Sequence, residues 1–130
     1  MAETLSAVIL TAAVAGIAAP AAASNILVAF NVVAPVFQGG VTTGNQPKTV
    51  TGHAASIEIL TVGSAYKTNA QMCSLSGFYC GGGTKVLNLD DGSTAQLPQT
   101  YVAGTDVTAQ LQISSFNTAS VSVVGWLAVW

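Results

Sequence analysis

Charge is what this sequence has least of. Among 130 residues there are three lysines, no arginine, five acids and one histidine. Charged residues make up 6% of the chain, against about 25% in ordinary soluble domains. Without a basic patch there is no electrostatic footprint for nucleic acid. A formal net charge of −2 offers little repulsion against self-association. The lone histidine, His53, has no serine and acid around it in a pattern that would make a nucleophile relay, so the chain is not read as an enzyme. No Asn-x-Ser/Thr sequon occurs, which leaves O-linked sugar on the many Thr and Ser as the modification still open. No segment repeats elsewhere in the chain.

Other chemistry is equally thin. Gly81-Gly82-Gly83-Thr84-Lys85 has a glycine run before a lysine but lacks the spacing of a phosphate loop, and a flexible turn explains it. Asp90-Asp91 sits in a turn without a calcium loop's series of ligands. No cofactor and no metal follow from these residues. Two cysteines, Cys73 and Cys80, stand with six residues between them in MCSLSGFYC. That spacing suits a disulfide across a turn containing Gly77, worth about 2–3 kcal/mol through restriction of the unfolded chain. It would imply an oxidising compartment or a hyperthermophile's chemistry. Two free buried thiols are the alternative.

Against these scarcities stands an abundance of apolar residues, 51% of the chain. They concentrate in Thr4 to Gln38, which contains no charged residue. As a helix this stretch would reach roughly 50 Å, and about 20 apolar residues already cross a bilayer. Glu3 precedes it and Gly39-Gly40 ends it. Small residues around Gly16 permit close helix contacts, Pro20 predicts a kink, and Leu5, Val8, Ile9, Ile17, Ile26, Leu27, Phe30, Val33 and Phe37 supply the larger packing groups. A signal peptide is a competing explanation, with AAPAAAS as a cleavage region. It lacks a basic start and leaves the second apolar run, Ile26 to Phe37, unexplained.

From Val41 the pattern changes. Residues 41–54 read as a polar loop or edge segment broken by Gly44 and Pro47. Ala55 to Val62 alternates as a half-buried strand, and a strand–turn–strand unit follows around the cysteines. Asp90-Asp91-Gly92-Ser93 marks a tight turn of the hairpin kind. Ala95 to Val102, interrupted by Pro98, suits a sheet edge. Asp106 to Phe116 places Val107, Ala109, Leu111 and Ile113 on one face. Ala119 to Trp130 predicts a last strand with Gly125 as a bulge candidate. From Val123 it is apolar on both faces, so its outer face should meet another element, for which the N-terminal helix is the nearest candidate. The expected fold class is α+β: a hydrophobic helix over residues 1–38, then a small antiparallel, immunoglobulin-like sandwich over 39–130.

The beginning of the chain, Met1-Ala2-Glu3-Thr4-Leu5-Ser6-Ala7-Val8-Ile9-Leu10, resembles the mature start of archaeal type IV pilins, the adhesive relatives of archaellins. The resemblance covers the helix, and the β-rich remainder only in architecture. It implies removal of a short basic leader, a precursor held in the membrane, and a helical homopolymer with helices as core and β domains as wall. It also implies that Glu3 pairs with the amino group of Met1 in a neighbouring copy. The other possibility is a solvated acid in the first helical turn. The function so implied is an extracellular, cell-surface filament subunit for adhesion, its receptor unspecified. Two alternatives compete: a β filament in which a terminal strand inserts into the next copy's sheet, and a membrane-anchored or secreted monomeric binding domain.

Overall fold

A computed structural model describes residues 26–130. Nine strands follow in chain order: β1 (Ile26–Ala34), β2 (Val41–Thr42), β3 (Gln46–Pro47), β4 (Ala55–Val62), β5 (Thr68–Ser74), β6 (Val86–Leu89), β7 (Thr94–Leu97), β8 (Asp106–Ile113) and β9 (Val121–Val129). A single 3-10 turn, Gly63–Ala65, links β4 to β5. The strands form two antiparallel sheets. Sheet I has the order β1-β9-β4-β7. Sheet II runs β2-β8-β5-β6, with the short β3 also paired to β8.

Alternation decides the core. Val107, Ala109, Leu111 and Ile113 of β8 are fully buried, as are Val123 and Leu127 of β9 and Ile57 and Ile59 of β4. A strand's side chains point alternately to its two faces, so one apolar set per strand closes the space between the sheets. In the middle of β9, Gly125 lies where the β9–β4 register shifts. A Cβ there would collide with the Glu58 carbonyl, and it would stand 2.8 Å from the Phe30 ring. Glycine is what lets β4 and Phe30 approach β9 at the bulge.

The long N-terminal helix is overturned over its described part. Ile26–Ala34 is a strand, pairing residue for residue with β9 from Val129↔Ile26 to Val121↔Ala34. Four of its nine residues are β-branched, and Phe30 is aromatic, which suits a pleated surface better than a helix. A run that is apolar throughout satisfies a doubly covered helix and a sheet strand alike, so periodicity could not separate them. Pro35 ends the strand. Phe37 and Gln38 then take left-handed angles (φ 57° and 58°), held by Asn117: its carbonyl accepts from the Phe37 N–H (2.7 Å) and its Oδ1 from the Gln38 N–H (2.8 Å). Gly39 is therefore no helix cap. The expected helix over the outer face of β9 is corrected too, because β1 lies beside β9 in the same sheet. Residues 1–25, with the expectations placed on Glu3, Leu5, Val8, Ile9, Gly16, Ile17 and Pro20, lie outside the described residues.

Of the two readings of 41–54, loop or edge segment, the edge segment holds: the stretch supplies β2 and β3 at the edge of sheet II, and the buried side chains Gln46 and Lys48. One smaller expectation changes. The Asp90–Ser93 turn does not close a hairpin, since β6 and β7 belong to different sheets. It carries the chain across the sandwich, with the Val62 N–H bonded to Asp91 Oδ1 at 2.7 Å.

Candidate functional site

The sandwich has two ends. Chain direction in β1, β9 and β4 places Ala34, Val121 and Val62 at one end, and Ile26, Val129 and Ala55 at the other. The first end carries an exposed aromatic pair, Phe37 and Phe116, with ring centres 5.4 Å apart. The second is where residues 1–25 join the sheet.

That second end holds three of the buried polar side chains, Gln46, Lys48 and Gln99. Lys48 is buried, and its ammonium donates to the carbonyls of His53 and Trp130, each at 2.9 Å. Burial pushes its pKa below the ordinary lysine value. His53 stacks on Trp130 at 4.7 Å, and its Nδ1 lies 2.8 Å from the Ala54 carbonyl. The ring serves packing. Gln46 bridges the two sheets by donating to the Leu127 carbonyl (3.3 Å). Gln99 is also buried, and neither atom of its amide has a hydrogen-bond partner among the described residues. Among those residues no three His, Cys, Asp or Glu side chains gather as a metal site.

Cys73 and Cys80 are bonded to each other, with sulfurs 2.03 Å apart. The bridge closes a small turn in which Ser74 and Tyr79 exchange backbone hydrogen bonds of 2.7 and 2.9 Å. Beside it lies an open depression of about 600 Å³ whose lining includes Ser74, Tyr79, Gly82, Thr100, Tyr101 and Val102. Tyr101 is fixed at its floor, its hydroxyl donating to the Tyr79 carbonyl at 2.7 Å.

The four sheet edges differ sharply. β7 has four residues and stops before Pro98. β6 has four, with Asn88 in a left-handed conformation and a break in register against β5. The edge along β8 is split into two two-residue strands separated by Gly44, and one of them contains Pro47. Short length, proline and bulges are how natural sheets keep an edge from pairing with another chain. β1 has none of them: it is nine residues long, in unbroken register, without charge, glycine or proline. Among the described residues no strand pairs with its far side.

Register also fixes which side chains share β1's outer face. Leu27, Ala29, Asn31 and Val33 stand there beside Ala128, Trp126, Val124 and Ser122 of β9. Val33 and Ala29 are exposed, while Leu27, Val124 and Trp126 are half-buried. Of Leu27, Phe30 and Val33, which sequence reasoning selected for packing in β1, Phe30 alone is buried, against Gly125. Val33 and Phe37 are exposed, and Leu27 lies on the outer face. Ile26 opens the strand. Trp126 and Ala29 were missed as surface residues, although the two-faced apolar run in β9 was their signal.

No protein-family model, curated protein or solved structure matches this chain. No helix among the described residues is long and apolar enough to cross a membrane.

Proposed function

We propose that this chain is the structural subunit of an extracellular homopolymer, a cell-surface filament used for attachment, in which copies join through sheet edges. The observation that carries this is the contrast among the edges: three are blunted and one, β1, is long, regular and uncharged. A sheet edge of that kind is a template for another strand. Scarcity of charge and a disulfide agree with an exported, self-associating protein. The pilin-like start at Met1–Leu10 supports passage of a precursor through the membrane. O-linked sugar on Thr and Ser is compatible with such a surface. The β-filament form is preferred to a helix-cored one because Ile26–Ala34 belongs to the sheet.

Electron microscopy of purified protein tests this. Filaments that persist in molar salt are expected, because burying one exposed Leu or Ile contributes about 1.5–3 kcal/mol and a surface ion pair about 0–1 kcal/mol. A monodisperse single chain under all conditions would overturn it. It would favour a monomeric binding domain, to which the disulfide-bordered depression with its exposed Tyr79 lends itself.

A further inference from the structure

Resting on the filament function above, we infer that the edge of β1, unpaired among the described residues, is paired by residues Leu5–Ala13 of a second copy. Three observations converge on that occupant. The edge offers nine consecutive residues without charge, a length of about 30 Å in a strand. Side chains flanking it are apolar on both faces: Val28 is 37% exposed on the inner side although its β9 partner Leu127 is fully buried, and Val33 is 56% exposed on the outer side. The inner space is thus open along this flank. An added strand would need to be apolar on both faces, and few stretches of the chain are.

Leu5–Ala13, LSAVILTAA, meets that need. It has no charge, and Val8, Ile9 and Thr11 are β-branched, as strands favour. The following residues are mostly alanine and glycine, which strands disfavour, with a proline at position 20. Twelve residues, 14–25, then remain as a tether to Ile26. Extended, they reach on the order of 40 Å, enough to lead from one sandwich to the next. Pairing of Leu5–Ala13 with the same copy's β1, which twelve connecting residues with Gly16 and Pro20 would also permit, would cover the edge within one chain and leave the filament without this junction. Pairing of β1 with a second β1 would close two copies on each other and leave Leu5–Ala13 with no apolar partner.

The test uses full-length chains. Ala29→Lys, or equally Asn31→Lys, places a charge at exposed positions of the edge, and Ile9→Asp places one in the arriving segment. Each variant alone is expected to lose sedimentable polymer entirely. Mixed one to one, Ile9→Asp and an edge variant should form a discrete two-chain complex, because one brings an intact edge and the other an intact segment. That complex also shows that both variants are folded. Normal polymers from Ile9→Asp but none from the edge variants would keep β1 as the junction but remove Leu5–Ala13 as its occupant, which overturns the inference. Normal polymers from all variants would remove β1 as the junction while leaving the filament function standing. A mixture that forms no complex also overturns the inference. A parent chain that never polymerises overturns the filament function itself.

Discussion

The two sheets solve the same shortage of charge in opposite ways. The outward face of sheet II is covered with amides that bond to the chain's own backbone. Gln71 donates to the carbonyls of Cys80 and Gly83, both at 2.9 Å. Gln112 donates to the Gln38 carbonyl and accepts from Lys85 at 3.3 Å. With the disulfide beside them and short strands at both edges, this sheet offers a partner no unbroken edge, although Tyr79 and Leu87 stand exposed. Sheet I leaves Val33 and Ala29 exposed and Trp126 half covered, beside an edge with no blunting device. Polar side chains spent on internal carbonyls seal a surface. Apolar ones left outward invite another protein. One sandwich therefore has a finished side and an unfinished one.

The largest expected effect lies beneath the unfinished side. Gly125→Val would push a side chain into the Glu58 carbonyl and the Phe30 ring, forcing β9 away from β4 or β1. Overpacking of this kind should cost about 3 kcal/mol or more, read as a lower urea midpoint or failure to fold. A wild-type midpoint would mean that the bulge accommodates bulk, and that sheet I's inner face is as loose as its outer one. Second in size is the clamp on the finished side. Replacing Cys73 and Cys80 together by alanine opens a short loop and should cost about 2–3 kcal/mol. Equal urea midpoints for the variant and the parent would show that the amide network holds sheet II without it.

Lys48 sharpens the comparison by pH, because it ties the end of β9 in sheet I to the segment after β3 in sheet II. Desolvation lowers its folded pKa below the ordinary 10.5. Between the folded and unfolded values the unfolded chain binds more protons, so stability should rise with pH there. Tyr101 acts oppositely: burial raises its pKa above 10.0, so its contribution is present below that value and is lost as pH climbs through the raised one. The lysine effect is therefore to be measured below pH 10, where denaturant midpoints of the parent should climb. Lys48→Met should flatten that climb. An unchanged slope would place the pH response elsewhere.

Much of the sandwich was legible in the sequence, for a definite reason. Ala55–Val62 and Asp106–Ile113 alternate strictly enough that the buried set could be named, and all of Val107, Ala109, Leu111 and Ile113 are buried. Gly125 stood out as a break in a strand, and the register shift falls beside it. The Cys73–Cys80 bond followed from spacing. Ile26–Ala34 was illegible because a sequence apolar at every position carries no period. What makes it a strand is a partner 87 residues or more downstream at its far end, Val121 against Ala34. Lys48 and Gln46 were illegible for another reason. A polar residue in a polar stretch gives no sign that its head will find buried carbonyls. The edge contrast needed the topology, since no residue of β1 declares that its far side has no partner strand among the described residues.

The smallest effect on stability makes the sharpest contrast between the sheets. Val33 on β1 and Leu87 on β6 are exposed to nearly the same degree, 56% and 58%. Each sits on an edge strand, so Val33→Lys and Leu87→Lys swap similar apolar surface for the same charge. Away from the core, such changes should alter unfolding free energy by no more than about 0.5 kcal/mol. Their effects on association should diverge. A lysine on β1 would introduce an edge charge where none exists, which disfavours the addition of a strand. β6 is already interrupted at Asn88, so a lysine there removes nothing a partner could use. Sedimentation of the two variants, at low and at molar salt, should show polymer lost from Val33→Lys and retained by Leu87→Lys. Salt should not restore the former fully, since it screens charge but cannot supply the lost apolar contact. Identical sedimentation of the two variants would mean that the sheets' edges are equivalent and that the unfinished side of the sandwich lies elsewhere.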